Sequence, residues 1–199
     1  MSTKFQIERM GDRGIVAVFG EEPSPDLTMR MLGFCVAASS IDGVVDASSG
    51  HARVLVEVEP DDFERVATQL ETLQIEPDAE SEFRTHQLRC RYDGEDLTWA
   101  ADYLGRSKEQ IVGLHSGATY TVVTLGSPGF VYLSEVDERL RLPRMERPRL
   151  GVEAGSVGIG GRQTGIYGKQ RPGGWRIIGR VDLPLPEFKP GDSVIFDPA

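Results

Sequence analysis

Hydrophobic positions in the first eighty residues follow the two periods that distinguish strands from helices. Four short β-type runs predict strands, at residues 4–9, 14–19, 44–47 and 52–59. Hydrophobic residues recur every three to four positions after Leu27 and after Phe63, which predicts two helices. Ser24, followed by Pro25, predicts the start of the first helix. This part of the chain is therefore predicted to be an α+β sandwich, with both helices on one face of the sheet.

The second part begins with a predicted strand at residues 83–92 and two short helices, at 97–104 and 108–114. Ser107 and Gln110 form a capping-box pattern at the start of the second helix. From Thr119 onward, glycine and proline separate β-type runs every several residues, which predicts a closed β-barrel. The acidic, proline-containing segment 75–81 is interpreted as a linker, so the predicted domains are residues 1–80 and 81–199.

Glycine is concentrated in one stretch, SVGIGGRQTGIYGKQRPGGWRIIGR, from Ser156 to Arg180. A phosphate-binding loop is excluded because Ile166 and Tyr167 stand where that loop needs Lys and Ser or Thr. A dinucleotide fingerprint is excluded because Gln163 stands at its third glycine. The remaining interpretation is that glycine serves strand turns and bulges, or a backbone that another group approaches closely.

Net charge and cysteine content argue against several classes of protein. The 199 residues carry a formal net charge of −9, which argues against nucleic-acid binding and against acidic membranes. The two cysteines have neither zinc-site spacing nor a disulfide framework. With no apolar signal core and no run of the length of a membrane span, a cytoplasmic protein is expected. Its expected partners are proteins and small molecules.

Ordered sequence blocks carry a family resemblance. They are MGDRGIVAVFG at 10–20, YDGEDL at 92–97, LHS at 114–116, PGFVYL at 128–133, LPRMERPRL at 142–150, AGSVGIGGRQTGIYG at 154–168, PGGWRIIGR at 172–180 and GDSVIF at 191–196. Together they resemble the KipI family, also described as the B component of 5-oxoprolinase or allophanate hydrolase subunit 1. The family pattern LGFxPGF is replaced here by LGSPGF at 125–130, one residue shorter.

The resemblance implies an α/β N-terminal domain and a cyclophilin-like C-terminal β-barrel. It also implies a KipA-type partner, which is the C component of the same complex, and a LamB/YcsF-type protein, which is its A component. Together these proteins cleave 5-oxoproline in a reaction that uses ATP. Whether this chain contacts ATP is left open.

Charged candidates for the site are His115, Arg144, Arg149 and Arg180. His115 is a candidate proton-transfer residue because its ordinary pKa lies near neutrality, although a helix-capping role is the alternative. Arg144 and Arg149 each follow a proline, and a guanidinium held in advance suits a carboxylate. Their alternative role is an ion pair with the acidic surface. Arg180 is a further candidate substrate-binding residue.

Polar and aromatic candidates lie in or near the glycine-rich stretch. Gln163, Thr164 and Tyr167 are candidates for orienting an amide or carboxyl group, with turn decoration as the alternative. Phe130 and Trp175 follow glycines and are candidates for partner contact or, more simply, for packing.

The sequence contains no local nucleophile motif, neither G-x-S-x-G nor H-E-x-x-H. We therefore expect a protein that forms a composite site with a KipA-type partner and is inactive without it. One alternative is a regulatory protein that inhibits a sensor histidine kinase, which the altered SPGF loop would fit. Another is a prolyl isomerase acting alone, which rests on fold analogy.

Overall fold

The computed structural model describes residues 5–20, 22–75 and 82–199. Backbone contacts divide the chain into two compact units, Met1–Glu82 and Phe83–Ala199. The linker predicted at 75–81 lies outside the described residues apart from Ile75, so the domain limits 1–80 and 81–199 stay a prediction. Among the described residues, no helix has both the length and the hydropathy needed to cross a membrane.

The first unit is a four-stranded antiparallel sheet with two helices. Its elements are β1 (Gln6–Met10), β2 (Gly14–Val18), α1 (Pro25–Ser39), β3 (Val44–Ser49), β4 (Arg53–Val58), a 3₁₀ turn (Pro60–Asp62) and α2 (Phe63–Glu71). The strand order is β1-β2-β4-β3. The predicted helix start is confirmed, because the Ser24 hydroxyl accepts a hydrogen bond from the Leu27 amide at 3.2 Å. Alternate residues Val54, Val56 and Val58 of β4 are buried, as a strand with one core-facing side requires.

The second unit contains a closed seven-stranded barrel. Its elements are β5 (Thr85–Arg91), α3 (Leu97–Leu104), α4 (Lys108–Ser116), β6 (Thr119–Gly126), β7 (Phe130–Glu135), β8 (Arg149–Val152), β9 (Ser156–Gly160), β10 (Gln163–Tyr167), β11 (Arg171–Gly173), β12 (Arg176–Val181) and β13 (Ser193–Pro198). The barrel order is β10-β7-β6-β13-β5-β12-β9, and β9 pairs with β10 to close it. The predicted α+β unit followed by a β-barrel is thus confirmed.

Two features of the second unit position the candidate residues. The capping box predicted at Ser107 and Gln110 is present, and it fixes the start of α4, the helix that carries His115. Strands β8 and β11 do not join the barrel but pair with each other as a two-stranded sheet. The unit accordingly has two separate hydrophobic clusters, one inside the barrel and a smaller one built on aromatic side chains.

Candidate functional site

The smaller cluster forms the wall of a cleft, which we call the aromatic cleft. Phe130, Tyr132, Tyr167 and Trp175 supply its rings. The ring centroid of Phe130 lies 4.7 Å from that of Tyr167 and 5.0 Å from that of Trp175, in edge-to-face contacts. The cleft has a volume of about 200 Å³ and is also lined by Arg144, Met145, Pro148 and residues 171–174. Aromatic rings and basic side chains therefore line a cleft large enough for a small ligand.

Glycine makes room for these rings. A Cβ atom at Gly160 would lie 2.6 Å from the Trp175 indole, and one at Gly165 would lie 2.7 Å from the Phe130 ring. Both distances are too short for packed atoms, so neither ring fits its position if the strand beneath carries a side chain. Gly160 and Gly165 of the glycine-rich stretch are thus explained by rings that lie directly on the backbone of β9 and β10.

Two guanidinium groups lie at the aromatic cleft. The guanidinium carbon of Arg144 is 5.4 Å from the centre of the Trp175 ring, and that of Arg171 is 5.9 Å from the centre of the Phe130 ring. Arg171 also donates a hydrogen bond of 2.9 Å to the Ser127 carbonyl, which holds it in place. Arg144 is exposed and forms no ion pair with any residue in the described ranges. Its charge is available to an anion.

Tyr167 and Trp175 are buried within the cleft wall, with 2% and 6% of their surfaces exposed. Burial raises the pKa of the Tyr167 phenol, which is therefore protonated at neutral pH and able to donate a hydrogen bond. Phe130 is likewise buried, in agreement with the packing role considered for it. The structure brings Arg144, Tyr167, Phe130 and Trp175 together, as the candidate residues of one site.

Arg149 lies near the cleft, but its side chain is occupied by carboxylates. Its Nη2 atom donates to both oxygens of Asp96, at 2.8 and 2.9 Å, and its Nε atom lies 2.8 Å from Glu95 Oε1. Although burial opposes its charge, hydrogen bonding and attraction from Asp96 and Glu95 raise the pKa of Arg149. The ion-pair alternative for this residue matches the geometry, and we leave Arg149 out of the ligand contacts.

His115 and Thr164 lie in the barrel interior, not in the cleft. Both are fully buried, and His115 Nε2 is 2.9 Å from Thr164 Oγ1. The Thr164 hydroxyl donates to the Gly158 carbonyl, so it accepts a hydrogen bond from Nε2, and the Tyr92 hydroxyl donates to Nδ1. Burial lowers the pKa of His115 to about 3. A neutral, fully buried ring with both nitrogens bonded is placed to hold the barrel together, and we leave it out of the ligand site.

The two remaining candidates lie elsewhere. Gln163 is buried and donates to the Leu133 carbonyl across the barrel wall, at 3.0 Å. Arg180 is exposed and pairs with Glu153 at 2.9 Å, in an open hollow of about 480 Å³. That hollow is larger than the aromatic cleft, but exposed ion pairs and loop residues line it, so we do not choose it as the site.

Sequence reasoning missed Asp96, Tyr132 and Arg171. The sequence did contain a signal for Asp96, because a carboxylate in the block YDGEDL can form an ion pair with one of the arginines that follow prolines. Tyr132 and Arg171 lie within resemblance blocks or beside them, but only the folded barrel brings them to the same cleft. No group of three or more metal-binding side chains occurs among the residues that the structure describes.

The aromatic cleft has the chemistry to bind a small, flat, anionic molecule. Ring faces pack against apolar or planar groups, and a guanidinium pairs with a carboxylate. Among the described residues, those that line the cleft include no Cys, Ser, Asp or Glu. Covalent chemistry at this position would therefore draw on groups outside this lining.

A sequence model of the carboxyltransferase domain, subdomain C and D, matches residues 5–193. The chain belongs to this family. Over 97% of its length it is 30% identical to the 5-oxoprolinase B component of Bacillus subtilis, and the match covers 88% of that relative. It is 48% identical to the 5-oxoprolinase B component of Escherichia coli O157:H7, over 53% of this chain and 52% of the relative, so this match spans about half of each protein. These family findings confirm the resemblance seen in the sequence blocks.

Solved structures show the same fold. TTHA0988 superposes with a TM-score of 0.81 at 35% identity, over 94% of this chain and 40% of that protein. The conserved uncharacterized protein PH0987 from Pyrococcus horikoshii matches over 98% of this chain and 97% of its own, with 32% identity and a TM-score of 0.56. Urea carboxylase of Kluyveromyces lactis, at 19% identity and a TM-score of 0.75, shares the fold over 22% of its length.

Proposed function

We propose that this chain is part of a 5-oxoprolinase complex and that its aromatic cleft contributes the substrate-binding half of a composite site. Its relatives in Bacillus subtilis and Escherichia coli O157:H7 are both named as the B component of 5-oxoprolinase. The observation that carries the assignment to the cleft is Arg144, an exposed guanidinium held over the Trp175 ring. Such a group is suited to a ligand that is both flat and anionic.

The proposed substrate, 5-oxoproline, combines a planar lactam with a carboxylate. The lactam packs against Trp175 and Phe130, while Arg144 and Arg171 bind the carboxylate. The Tyr167 phenol, which is protonated at neutral pH, is a hydrogen-bond donor in the same cleft. Because it donates without losing its proton, it orients a lactam oxygen rather than acting as a base.

The rest of the chemistry is assigned to partner proteins. The described residues that line the cleft include no Cys, Ser, Asp or Glu, and lactam hydrolysis coupled to ATP requires groups that activate the amide. We propose that a KipA-type partner completes the site and that a LamB/YcsF-type protein takes part in the reaction. The proposal places the complex in the cytoplasm and assigns ATP to the complex as a whole. The kinase-inhibitor and prolyl-isomerase alternatives have no specific support in the cleft geometry, and we do not pursue them.

The test is ATP-dependent hydrolysis of 5-oxoproline by the complex reconstituted with both partner proteins. Arg144→Met removes the guanidinium and keeps the unbranched apolar stem, so kcat/KM is expected to fall by about tenfold or more, as for a lost charge-assisted hydrogen bond. Arg180→Met is the matched control, because Arg180 lies outside the cleft in an exposed ion pair. Assembly of each complex is checked by size-exclusion chromatography.

Equal kcat/KM for wild type and Arg144→Met would show that the cleft is not the substrate site. Absence of 5-oxoproline hydrolysis by an assembled wild-type complex would overturn the proposed function itself.

A further inference from the structure

A buried carboxylate, Asp96, contacts β12, the strand that begins directly after Trp175, without lining the aromatic cleft. It precedes α3, and 5% of its surface is exposed. Its amide donates to the Ile177 carbonyl at 2.9 Å, and its Oδ2 atom accepts from the Ile177 amide at 2.7 Å. Asp96 thus occupies both backbone groups of Ile177, as a neighbouring strand would.

Arg149 extends this contact toward the cleft. While its Nη2 atom is held by Asp96, its Nη1 atom donates to the Trp175 carbonyl at 3.4 Å and lies 2.8 Å from the Met145 sulfur. The Met145 amide in turn donates to the Gly174 carbonyl at 2.7 Å. A single planar guanidinium therefore connects the buried carboxylate to the backbone of Trp175 and to the residue that follows Arg144.

Arg176, the residue that follows Trp175, holds the Arg144 loop at another point. Its Nε atom donates to the Pro143 carbonyl at 3.3 Å, and its guanidinium lies 3.6 Å from the centre of the Trp99 ring. Its Nη1 atom is 3.8 Å from Asp96. The residues on both sides of Arg144 are thus anchored to Gly174 and Arg176, the neighbours of Trp175, and Asp96 contacts both Arg149 and Arg176.

We propose that Asp96 and Arg149 are positioning residues that fix Trp175 and Arg144 relative to each other in the cleft. The positioning role follows from the contacts of Asp96 and Arg149, and only its effect on substrate binding rests on the proposed function. Lysine at position 149 keeps a positive charge for Asp96 but cannot also reach the Trp175 carbonyl, because an ammonium lacks the planar fork. The prediction is that Arg149→Lys disturbs the cleft more than it disturbs the fold.

The first measurement needs no substrate. The chain has two tryptophans, so labelling with 5-fluorotryptophan gives two ¹⁹F NMR signals, which Trp99→Phe assigns. Arg149→Lys is expected to shift or broaden the Trp175 signal, and Arg180→Lys, at an exposed pair, is expected to leave it unchanged. Asp96→Asn is the second variant and is expected to act on the same signal. A Trp175 signal identical to wild type in a folded Arg149→Lys protein would overturn the inference.

The second measurement asks whether Arg149 acts through the cleft. In the reconstituted complex, Arg149→Lys is expected to raise KM for 5-oxoproline about tenfold while kcat stays within about twofold. In an Arg144→Met background the same change is expected to add less than about twofold, because coupled residues are not additive. A full tenfold effect in both backgrounds would show independent action and contradict the proposal. If the wild-type complex is inactive, the proposed function fails, and the ¹⁹F measurement still decides the positioning role.

Discussion

The barrel interior and the aromatic cleft both combine aromatic rings with polar side chains. They differ in whether those polar groups already have partners within the protein. Inside the barrel, His115 is bonded at both ring nitrogens, and Tyr120 donates to the His115 carbonyl at 3.0 Å. In the cleft, the guanidinium of Arg144 is exposed, lies 5.4 Å from the centre of the Trp175 ring and has no ion-pair partner among the described residues. The interior therefore uses its hydrogen-bonding groups for the fold, whereas the cleft keeps one for a ligand.

This contrast teaches that residue type alone does not identify a site. His115 and Arg144 are both candidates by residue type. Burial separates them here, because it removes His115 from solvent and lowers its pKa to about 3, while Arg144 is exposed. The following changes test the two regions against each other.

The largest effect is expected from His115→Ala. Removing the ring leaves a cavity in the barrel and deprives Tyr92 and Thr164 of their common partner. The expected loss in the free energy of unfolding is about 2 to 5 kcal/mol. Arg144→Ala, in the cleft, is expected to change it by no more than about 0.5 kcal/mol. Urea denaturation of both variants measures the difference, and equal stabilities would contradict the division into a structural interior and a binding cleft.

A smaller effect is expected from Gly160→Ala. The new methyl group would lie 2.6 Å from the Trp175 indole, so the ring must move. Overpacking of this kind costs about 1 to 3 kcal/mol of stability. Thermal unfolding reports the cost, and fluorescence in a Trp99→Phe background, where Trp175 is the remaining tryptophan, reports the movement.

The matched control is Gly113→Ala in α4, where an added Cβ meets no atom within 4 Å. Alanine is a better helix former than glycine, so this variant is expected to be as stable as wild type or more stable. A Gly160→Ala protein with unchanged stability and fluorescence would show that glycine at 160 is not required by the ring.

Most of the fold was readable from the sequence because its signals are local. Strands β2 and β4 of the first sheet bury every second residue, and the starts of α1 and α4 follow from Ser24 and Ser107. Glycine and proline spacing indicated the barrel. The strand order could not be read in this way, because the parallel pairing of β13 with β5 joins segments about a hundred residues apart.

The site was only half predictable. Phe130, Trp175 and Arg144 were identified from glycine and proline neighbours, which act locally. The sequence does not distinguish the roles of Arg144 and Arg149, because both residues follow proline. Only the fold brings Asp96 within 2.8 Å of Arg149. The burial of His115 likewise depends on which face of α4 meets the barrel.

The pH dependence of the free energy of unfolding tests the barrel interior, and the expected effect is smaller. The unfolded chain binds a proton at His115 below about pH 6.5, whereas the folded chain does so only near pH 3, because burial opposes the charge and lowers the pKa. Acid therefore favours unfolding, and this contribution to stability is complete above about pH 6.5 and falls as pH drops toward 3. At pH 5.5 the expected loss is about 1.4 kcal/mol. His115→Leu cannot bind this proton, so its free energy of unfolding is expected to fall less than that of wild type between pH 7 and 5.5. Urea denaturation at the two pH values measures the difference, and an equal loss in the two proteins would contradict the prediction.

The smallest effect is expected from Arg180→Ala. Arg180 pairs with Glu153 at 2.9 Å, but about half of each side chain is exposed, and exposed pairs contribute less than about 1 kcal/mol. Arg180 also lies outside the cleft lining, so kcat/KM of the reconstituted complex is expected to stay within about twofold of wild type. Arg144→Ala in the same assay should lose much more, because its guanidinium faces the proposed carboxylate. If Arg180→Ala instead loses activity and Arg144→Ala does not, the ligand binds in the hollow beside Glu153, and the aromatic cleft is a packing feature like the barrel interior.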